Sequence, residues 1–318
     1  MRCVTPIGAL CVVLGSCVSL GSGIIYAQTV RFAVIGDYGQ SGAASSPAGR
    51  VAAMVSAWNP GFVVTVGDNM YGNTRTDWSA LVGAHYGQFI LRDPLHPERF
   101  LEQTSRVQRF FPALGNHDAE GNDITGYEEY FHLVPGGVGR LPAGSGGRGV
   151  HTRVADYYDF VRGPVHFFVL DSHHALTTPA SMAAQKAWLQ AGLAAERTAK
   201  WKVVVMHHPA HSSASHGSDP AMQWPFREWG VTGVLQGHDH AYERIVRDDL
   251  PYFVNGAGGA GLYGFRNPPE QGSLSRWNQS HGAMLVTADD RRMEFRFLSV
   301  DGDGQGMLRD SFVQTAVR

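Results

Sequence analysis

Short apolar runs recur along the 318-residue chain, and each breaks off at polar side chains. Val30–Ile35 is followed by Gly36-Asp37, Phe62–Val66 by Gly67-Asp68, and Phe110–Leu114 by Gly115-Asn116-His117. Further on, Val203–Met206 leads into His207-His208, and Val231–Leu235 into Gly237-His238-Asp239-His240. Runs this short and this rich in Val and Phe predict buried strands. Between the first two, Ala48–Trp58 sets Val51, Ala52, Met54, Val55 and Trp58 at the spacing of an amphipathic helix, and Gln185–Ala195 has the same helical character. Strand, polar turn and helix in repetition predict an α/β fold with its site at the carboxyl ends of several strands.

The connections differ in length. Thr74–Val107 is long and contains Pro94 and Pro97, and Pro135–Gly149 is Gly-rich with Arg140 and Arg148. Loops of this length serve more often as lids or binding segments than as scaffold. The polar strand ends run from Asp37 to His240, so a domain boundary between them would split any site they share. One domain over residues 28–318 is the economical reading, with the tail from Tyr252 to about Val317 completing the sheets. In that tail Met293-Glu294-Phe295-Arg296-Phe297-Leu298 alternates as a strand with one wet face does.

Composition narrows the function. Hydrophobic residues make up 43% of the chain and charged residues 17%, enough apolar surface for a real core. The net charge of -2 carries no basic excess, which argues against binding to nucleic acid or an anionic membrane surface. Residues 1–27 read as an export signal: Met1-Arg2, then an apolar stretch without charge that ends at Ala27. The alternatives are an uncleaved membrane anchor, or a bacterial lipid anchor on Cys17, because Leu14-Gly15-Ser16-Cys17 loosely resembles a lipoprotein processing box. All three cysteines lie in this segment, so cleavage after Ala27 leaves neither a disulfide nor a thiolate metal site. The expected location is therefore periplasmic or secreted.

Histidine carries the chemistry. Of the 15, His85, His96, His132, His151, His166 and His281 stand outside any ligand-like spacing. His207, His238 and His240 each follow a predicted buried strand, and the last two form a His-x-His pair that can reach one metal or two adjacent ones. Asp37 and Asp68 supply the anionic oxygen a hard cation needs, and Asn116-His117-Asp118 adds a neutral oxygen beside an acid. Taken singly, each Asp is better explained as a turn or capping residue.

The combination is more specific than its parts. Asp37, then Gly67-Asp68 with Tyr71, Gly115-Asn116-His117-Asp118, Val204-Val205-Met206-His207 and Gly237-His238-Asp239-His240 resembles the calcineurin-like metallophosphoesterases. Within them it is most similar to the small purple acid phosphatases. Tyr157-Tyr158-Asp159-Phe160, His166 through Asp171, and Asn255-Gly256-Ala257-Gly258-Gly259 extend the likeness over almost all of residues 28–318. The general family places a His two residues after the first Asp, where this chain has Gly39. Purple acid phosphatases replace that ligand with a tyrosine three residues after the second Asp, where this chain has Tyr71.

The resemblance implies a four-layer αββα sandwich of two mixed β-sheets flanked by helices. It implies a ferric ion on Asp37, Asp68, Tyr71 and His240, with Asp68 bridging to a divalent zinc, iron or manganese held also by Asn116, His207 and His238. His117 and His216 are expected to contact substrate, with His208 and His211 as rivals for the second role. The expected reaction is phosphate monoester hydrolysis with metal-bound hydroxide as nucleophile, on a small-molecule phosphate ester. Rivals are a phosphodiesterase or nucleotidase of the same superfamily and an exported binding protein without catalysis. Mammalian small purple acid phosphatases carry a disulfide that a mature chain without cysteine cannot share, and Pro135–Gly149 is a candidate lid.

Overall fold

The computed structural model describes residues 29–72, 77–91, 104–131, 157–174, 177–301 and 304–316. Residues 1–27, expected to be an export signal and holding the cysteines, the Pro135–Gly149 loop, and His96, His132 and His151 lie outside the described residues. One sheet holds β1 (Val30–Ile35), β2 (Phe62–Thr65), β3 (Phe110–Phe111), β11 (Gly282–Ala288), β12 (Arg292–Ser299) and β13 (Met307–Thr315). The other holds β4 (Tyr158–Arg162), β5 (Val165–Val169), β6 (Trp201–Val205), β7 (Gly233–Gln236), β8 (Tyr242–Arg247), β9 (Leu250–Asn255) and β10 (Ser273–Trp277). The orders are β13-β12-β11-β1-β2-β3 and β10-β8-β9-β7-β6-β5-β4. Both sheets are mixed: β1, β2 and β3 run parallel, as do β5, β6, β7 and β9, and the remaining pairings are antiparallel.

Alternation along each strand builds the layers, because successive side chains leave opposite faces of a sheet. Phe32, Val34, Phe62, Val64, Met284 and Val286 point inward and meet Phe167, Val203, Val205, Leu235 and Phe253 of the other sheet. Phe62 sits among the rings of Phe32, Phe111, Phe160 and Phe167 at centroid distances of 5.0 to 6.3 Å. The alternate residues Ala33, Ile35, Val63, Phe110 and Leu285 face outward onto α1 (Pro47–Trp58), α2 (Ala84–Tyr86) and α3 (Thr125–Phe131). On the far side, Phe168, Leu170, Val204 and Val234 share a core with Leu189 and Leu193 of α4 (Pro179–Ala195). Helices, sheet, sheet and helix give the four layers.

Local chemistry fixes the helix ends. Ser46 accepts a hydrogen bond from the Gly49 N–H, Pro47 occupies the first turn, and Asn59 closes α1 in the left-handed conformation. Thr178 and Ser181 form a reciprocal capping box with Pro179 behind it, so α4 begins six residues before the apolar pattern at Gln185 announces it.

The connection expected as a loop from Thr74 to Val107 is scaffold over its described residues 77–91. A helical stretch runs through Ser79–Gly83, α2 and Gly87–Phe89, and Trp78, Val82, Tyr86 and Phe89 are buried in the outer core. Their spacing of four, four and three is helical. The run expected over Phe110–Leu114 shortens to two residues because Pro112 lacks the N–H a strand needs. β12 buries Met293, Phe295 and Phe297 inward and leaves Glu294 and Arg296 half exposed, and Leu298 continues that outward row onto the outer core. Among the described residues no helix is long and apolar enough to cross a membrane.

Candidate dinuclear metal centre

The polar turns that end β1, β2, β3, β6 and β7 converge on one rim. Asp37, Asp68 and His240 bring one donor atom each within 4.8 Å of one another, and Asp68, His207 and His238 do the same. Asp68 belongs to both triads. Its Oδ1 lies 3.3 Å from His207 Nε2, and Asp37 Oδ1 lies 3.4 Å from His240 Nε2. Tyr71 joins the first triad, with its hydroxyl 3.0 Å from His240 Nε2 and 3.4 Å from Asp37 Oδ1. Asn116 joins the second, its Oδ1 3.0 Å from His207 Nε2. All seven expected ligands are thus brought together.

The backbone is bent to do this. Asp37, Asp68 and His238 have φ of 57°, 48° and 69°. Such left-handed conformations cost a residue with a side chain about 1–2 kcal/mol each and cluster where function demands them. Outer hydrogen bonds then aim the rings. His207 Nδ1 contacts the Val66 carbonyl and His240 Nδ1 the Gly261 carbonyl, both at 2.8 Å, which leaves each Nε2 facing the cluster.

Electrostatics describe a site short of positive charge. Asp37 and Asp68 are buried, and burial together with Asp68 raises the Asp37 carboxyl above its ordinary range. Burial alone would lower His207, but Asp68 and Asp37 outweigh it and push the imidazole up to about 9. Burial, then Asp37 and Asp68, drive the Tyr71 phenol far above its usual range. Carboxylates, inward-facing imidazoles and a phenol held in such a field fit two adjacent cations, the first on Asp37, Asp68, Tyr71 and His240, the second on Asp68, Asn116, His207 and His238.

Residues 30–242 match the calcineurin-like phosphoesterase family. The chain belongs to that family. Among relatives of this phosphoesterase, purple acid phosphatase 4 of Arabidopsis thaliana is 23% identical over 86% of this chain and 81% of its own. Purple acid phosphatase 17 of the same plant is 25% identical over 90% and 79%. The purple acid phosphatase PPD1 of yellow lupin (Lupinus luteus) seeds superimposes with a TM-score of 0.68 at 17% identity, covering 91% of this chain. The phosphoesterase spans 54% of that lupin chain. GAP50, the anchor in the inner membrane complex of Plasmodium, superimposes with a TM-score of 0.64 at 16% identity, over 91% of this chain and 90% of its own.

The phosphoesterase also shows why Gly39 and Tyr71 occur together. A Cβ at position 39 would run into the Asn69 carbonyl and the Met70 Cα, so no side chain fits there. The chain that fills the space is the one that delivers Tyr71, whose N–H donates to the Gly39 carbonyl at 3.0 Å. Gly115 is similar: a Cβ there would strike the Asp68 carboxylate.

His117 and His216 flank the centre. The His117 N–H donates to Asp68 Oδ1 at 2.9 Å, and its ring lies 4.4 Å from that of Tyr71. His216 is exposed and stacks on His238 at 4.2 Å. His211 is turned away, against Tyr252 and Glu270. His208 remains close, 4.4 Å from the His238 ring, and burial with the neighbouring His207 lowers it to about 2. His85 and His281 bind backbone carbonyls, and His166 is held between Asp159 and Glu196.

Several residues support the centre in roles that their place in the sequence does not reveal. Asp118 does not face the centre. It accepts from Asn69 Nδ2 and from the N–H groups of Met70 and Gly115, and burial, then Asp68, raises its carboxyl to about 8. Asp239, between the paired histidines, accepts from the N–H groups of His216 and Gly217 and so fixes the His216 loop. Tyr263 stacks on His240 at 4.0 Å, and His173 stands near His208.

Proposed function

We propose that this phosphoesterase hydrolyses phosphate monoesters at a dinuclear centre with ferric iron in the oxygen-rich half and zinc, iron or manganese in the other. The observation that carries the reading is the sharing of Asp68 by two triads, one of which holds a tyrosine hydroxyl. A phenol with two carboxylates suits a hard trivalent ion, and three nitrogen and amide donors around the shared carboxylate suit a divalent one. When bound, the two cations supply positive charge for the phosphate oxygens and lower the pKa of a water.

The chain's own groups do the rest. Asp68 and Asp37 fix the spacing of the two half-sites, and the outer hydrogen bonds of His207 and His240 hold the imidazoles in register. His216 and His117 border the triads, where each can donate a hydrogen bond to a phosphoryl oxygen or a proton to the departing alkoxide. The Arabidopsis relatives that bear the name purple acid phosphatase support the monoester reading. The reading includes export through residues 1–27 and a small-molecule substrate.

Four measurements test it. Purified protein should carry iron and a visible band that disappears in Tyr71→Phe; a colourless, iron-free active enzyme would sink the ferric assignment. Aryl phosphate monoesters should be turned over faster than diesters, and the reverse order points to a phosphodiesterase. The fold also occurs in a protein described as an anchor, so fold alone does not imply catalysis. Activity that is lost on chelation and restored by metal separates an enzyme from a binding protein. N-terminal sequencing of the exported protein should begin at Gln28.

A further inference from the structure

Among the described residues the two sheets leave four edge strands, β3, β4, β10 and β13, and three of them are guarded against further pairing. β3 is two residues long and runs into Pro112, β4 carries charge at Asp159 and Arg162, and β10 is broken by a bulge between Ser273 and Ser275 and carries Arg276. Short strands, proline, charge and bulges are the usual guards of a sheet edge. The second half of β13 has none of them. Its irregularity lies earlier, opposite the step from Phe297 to Leu298, and from Ser311 to Thr315 it reads Ser-Phe-Val-Gln-Thr, without charge, proline or glycine. The charges just before it are drawn away: Asp310 is held by Arg244 and the Tyr242 hydroxyl, and Arg309 by Ser299 and Asp301.

Two backbone bonds fix which groups of this stretch face outward. The Asp289 N–H donates to the Arg292 carbonyl at 3.0 Å, and the Ala316 N–H to the Arg291 carbonyl at 2.8 Å. Backbone groups alternate sides along an antiparallel strand, so Phe312, Gln314 and Ala316 turn theirs to β12, while Ser311, Val313 and Thr315 turn theirs to the open edge. Among the described residues no strand pairs with β13 on that side. All three side chains are exposed. Such an edge is completed by another extended strand.

We propose that the strand completing it is Ser311–Thr315 of a second copy of this chain, antiparallel about a twofold axis at Val313, so that two six-stranded sheets join into one. That register is its own complement. Val313 stands opposite the partner's Val313, a β-branched pair, and Ser311 opposite the partner's Thr315, a hydroxyl pair, both favourable across strands. On the inner face Phe312 meets the partner's Gln314. Gln314 Oε1 is buried with no hydrogen-bond partner among the described residues, and the partner's Gln314 lies on its diagonal, within reach of an amide N–H. No like charges oppose one another, because Arg292, Glu294 and Arg296 of β12 stand one strand further back on each side. The proposal is independent of the hydrolase reading, since β13 supplies nothing to either triad.

Sedimentation velocity of the purified protein from about 1 to 100 µM tests it, because a contact of five residues a side is small and should give a Kd of about 10 µM. Val313→Lys sets two ammonium groups face to face on the axis and should weaken the dimer about tenfold or more, whereas Val313→Thr should change it less than about threefold. Val161→Lys on β4 should leave it unchanged. Val313 is 44% and Val161 46% exposed, so a lysine at either position leaves the core intact. Opposed Cα atoms in such a pair lie about 5.5 Å apart, within the span of a disulfide. Under mild oxidation Val313→Cys should therefore bridge two copies at position 313, located by mass spectrometry. Thr315→Cys should not bridge to itself, because it stands opposite Ser311, but should do so when mixed with Ser311→Cys. A protein that stays monomeric at about 100 µM, a dimer indifferent to Val313→Lys, or a Thr315→Cys bridge to itself each overturns the proposal.

Discussion

The two half-sites share a carboxylate and differ in nearly everything else. Around Asp37, Tyr71 and His240 the donors are mostly oxygen, and burial with two carboxylates pushes the phenol far above its usual range. Around Asn116, His207 and His238 they are mostly nitrogen, and the charge of Asp68 is already partly answered by His207. The difference teaches that one shared carboxylate can join two unlike donor sets when each side contributes its own chemistry.

Substitutions can break the comparison at graded points. Asp68→Ala removes the shared ligand and should empty both halves, with turnover down about a thousandfold or more; retention of two metals per chain in elemental analysis would refute the bridge. His238→Ala should strip the nitrogen-rich half alone, costing about a hundredfold in kcat while the visible band survives. Gly39→Ala should act on the oxygen-rich half through the backbone. It forces Asn69 and Met70 aside at a cost of about 1–3 kcal/mol in denaturant unfolding, with the visible band weakened and second-site metal kept.

The smallest effect is a control outside both halves. Burial alone would raise Glu196, but N–H groups of Ala199 and Thr198, the Thr198 hydroxyl and His166 hold its carboxyl down to about 2. A depressed carboxylate contributes stability above its unfolded pKa of about 4.5 and loses it as pH falls toward 2. Glu196→Gln should therefore lower stability at pH 7 by on the order of 1 kcal/mol after solvent screening, with the gap closing between pH 4.5 and 2 and both half-sites keeping their metals.

Much of this was legible in the order of residues. Five apolar runs ending in Gly, Asp, Asn or His announced the parallel strands and their shared rim, because strand ends are where side chains escape the core. The exchange of Gly39 for Tyr71 was visible as a pattern, but its cause, a backbone occupying the space of a side chain, was not. The helical stretch around Val82 and Tyr86 was missed because Pro94 and Pro97 downstream made the whole connection read as loop, although its apolar residues keep helical spacing. Asp239 and Asp118 look like more ligands in sequence and act as tethers in space, since which way a carboxylate turns depends on N–H groups tens of residues away. His173 carried no signal at all, because its neighbour His208 lies in the turn after another strand.

Each triad draws from both sheets: Asp37 and Asp68 from the ends of β1 and β2, His207, His238 and His240 from the ends of β6 and β7. The centre is thus an alignment gauge for the sandwich. A slip of one sheet past the other by a single residue, about 3.3 Å, leaves every strand intact and the inner core still oily, yet parts both triads at once. Activity would then vanish while the spectrum of secondary structure stood unchanged, which makes catalysis a finer ruler of this fold than the fold's own hydrogen bonds.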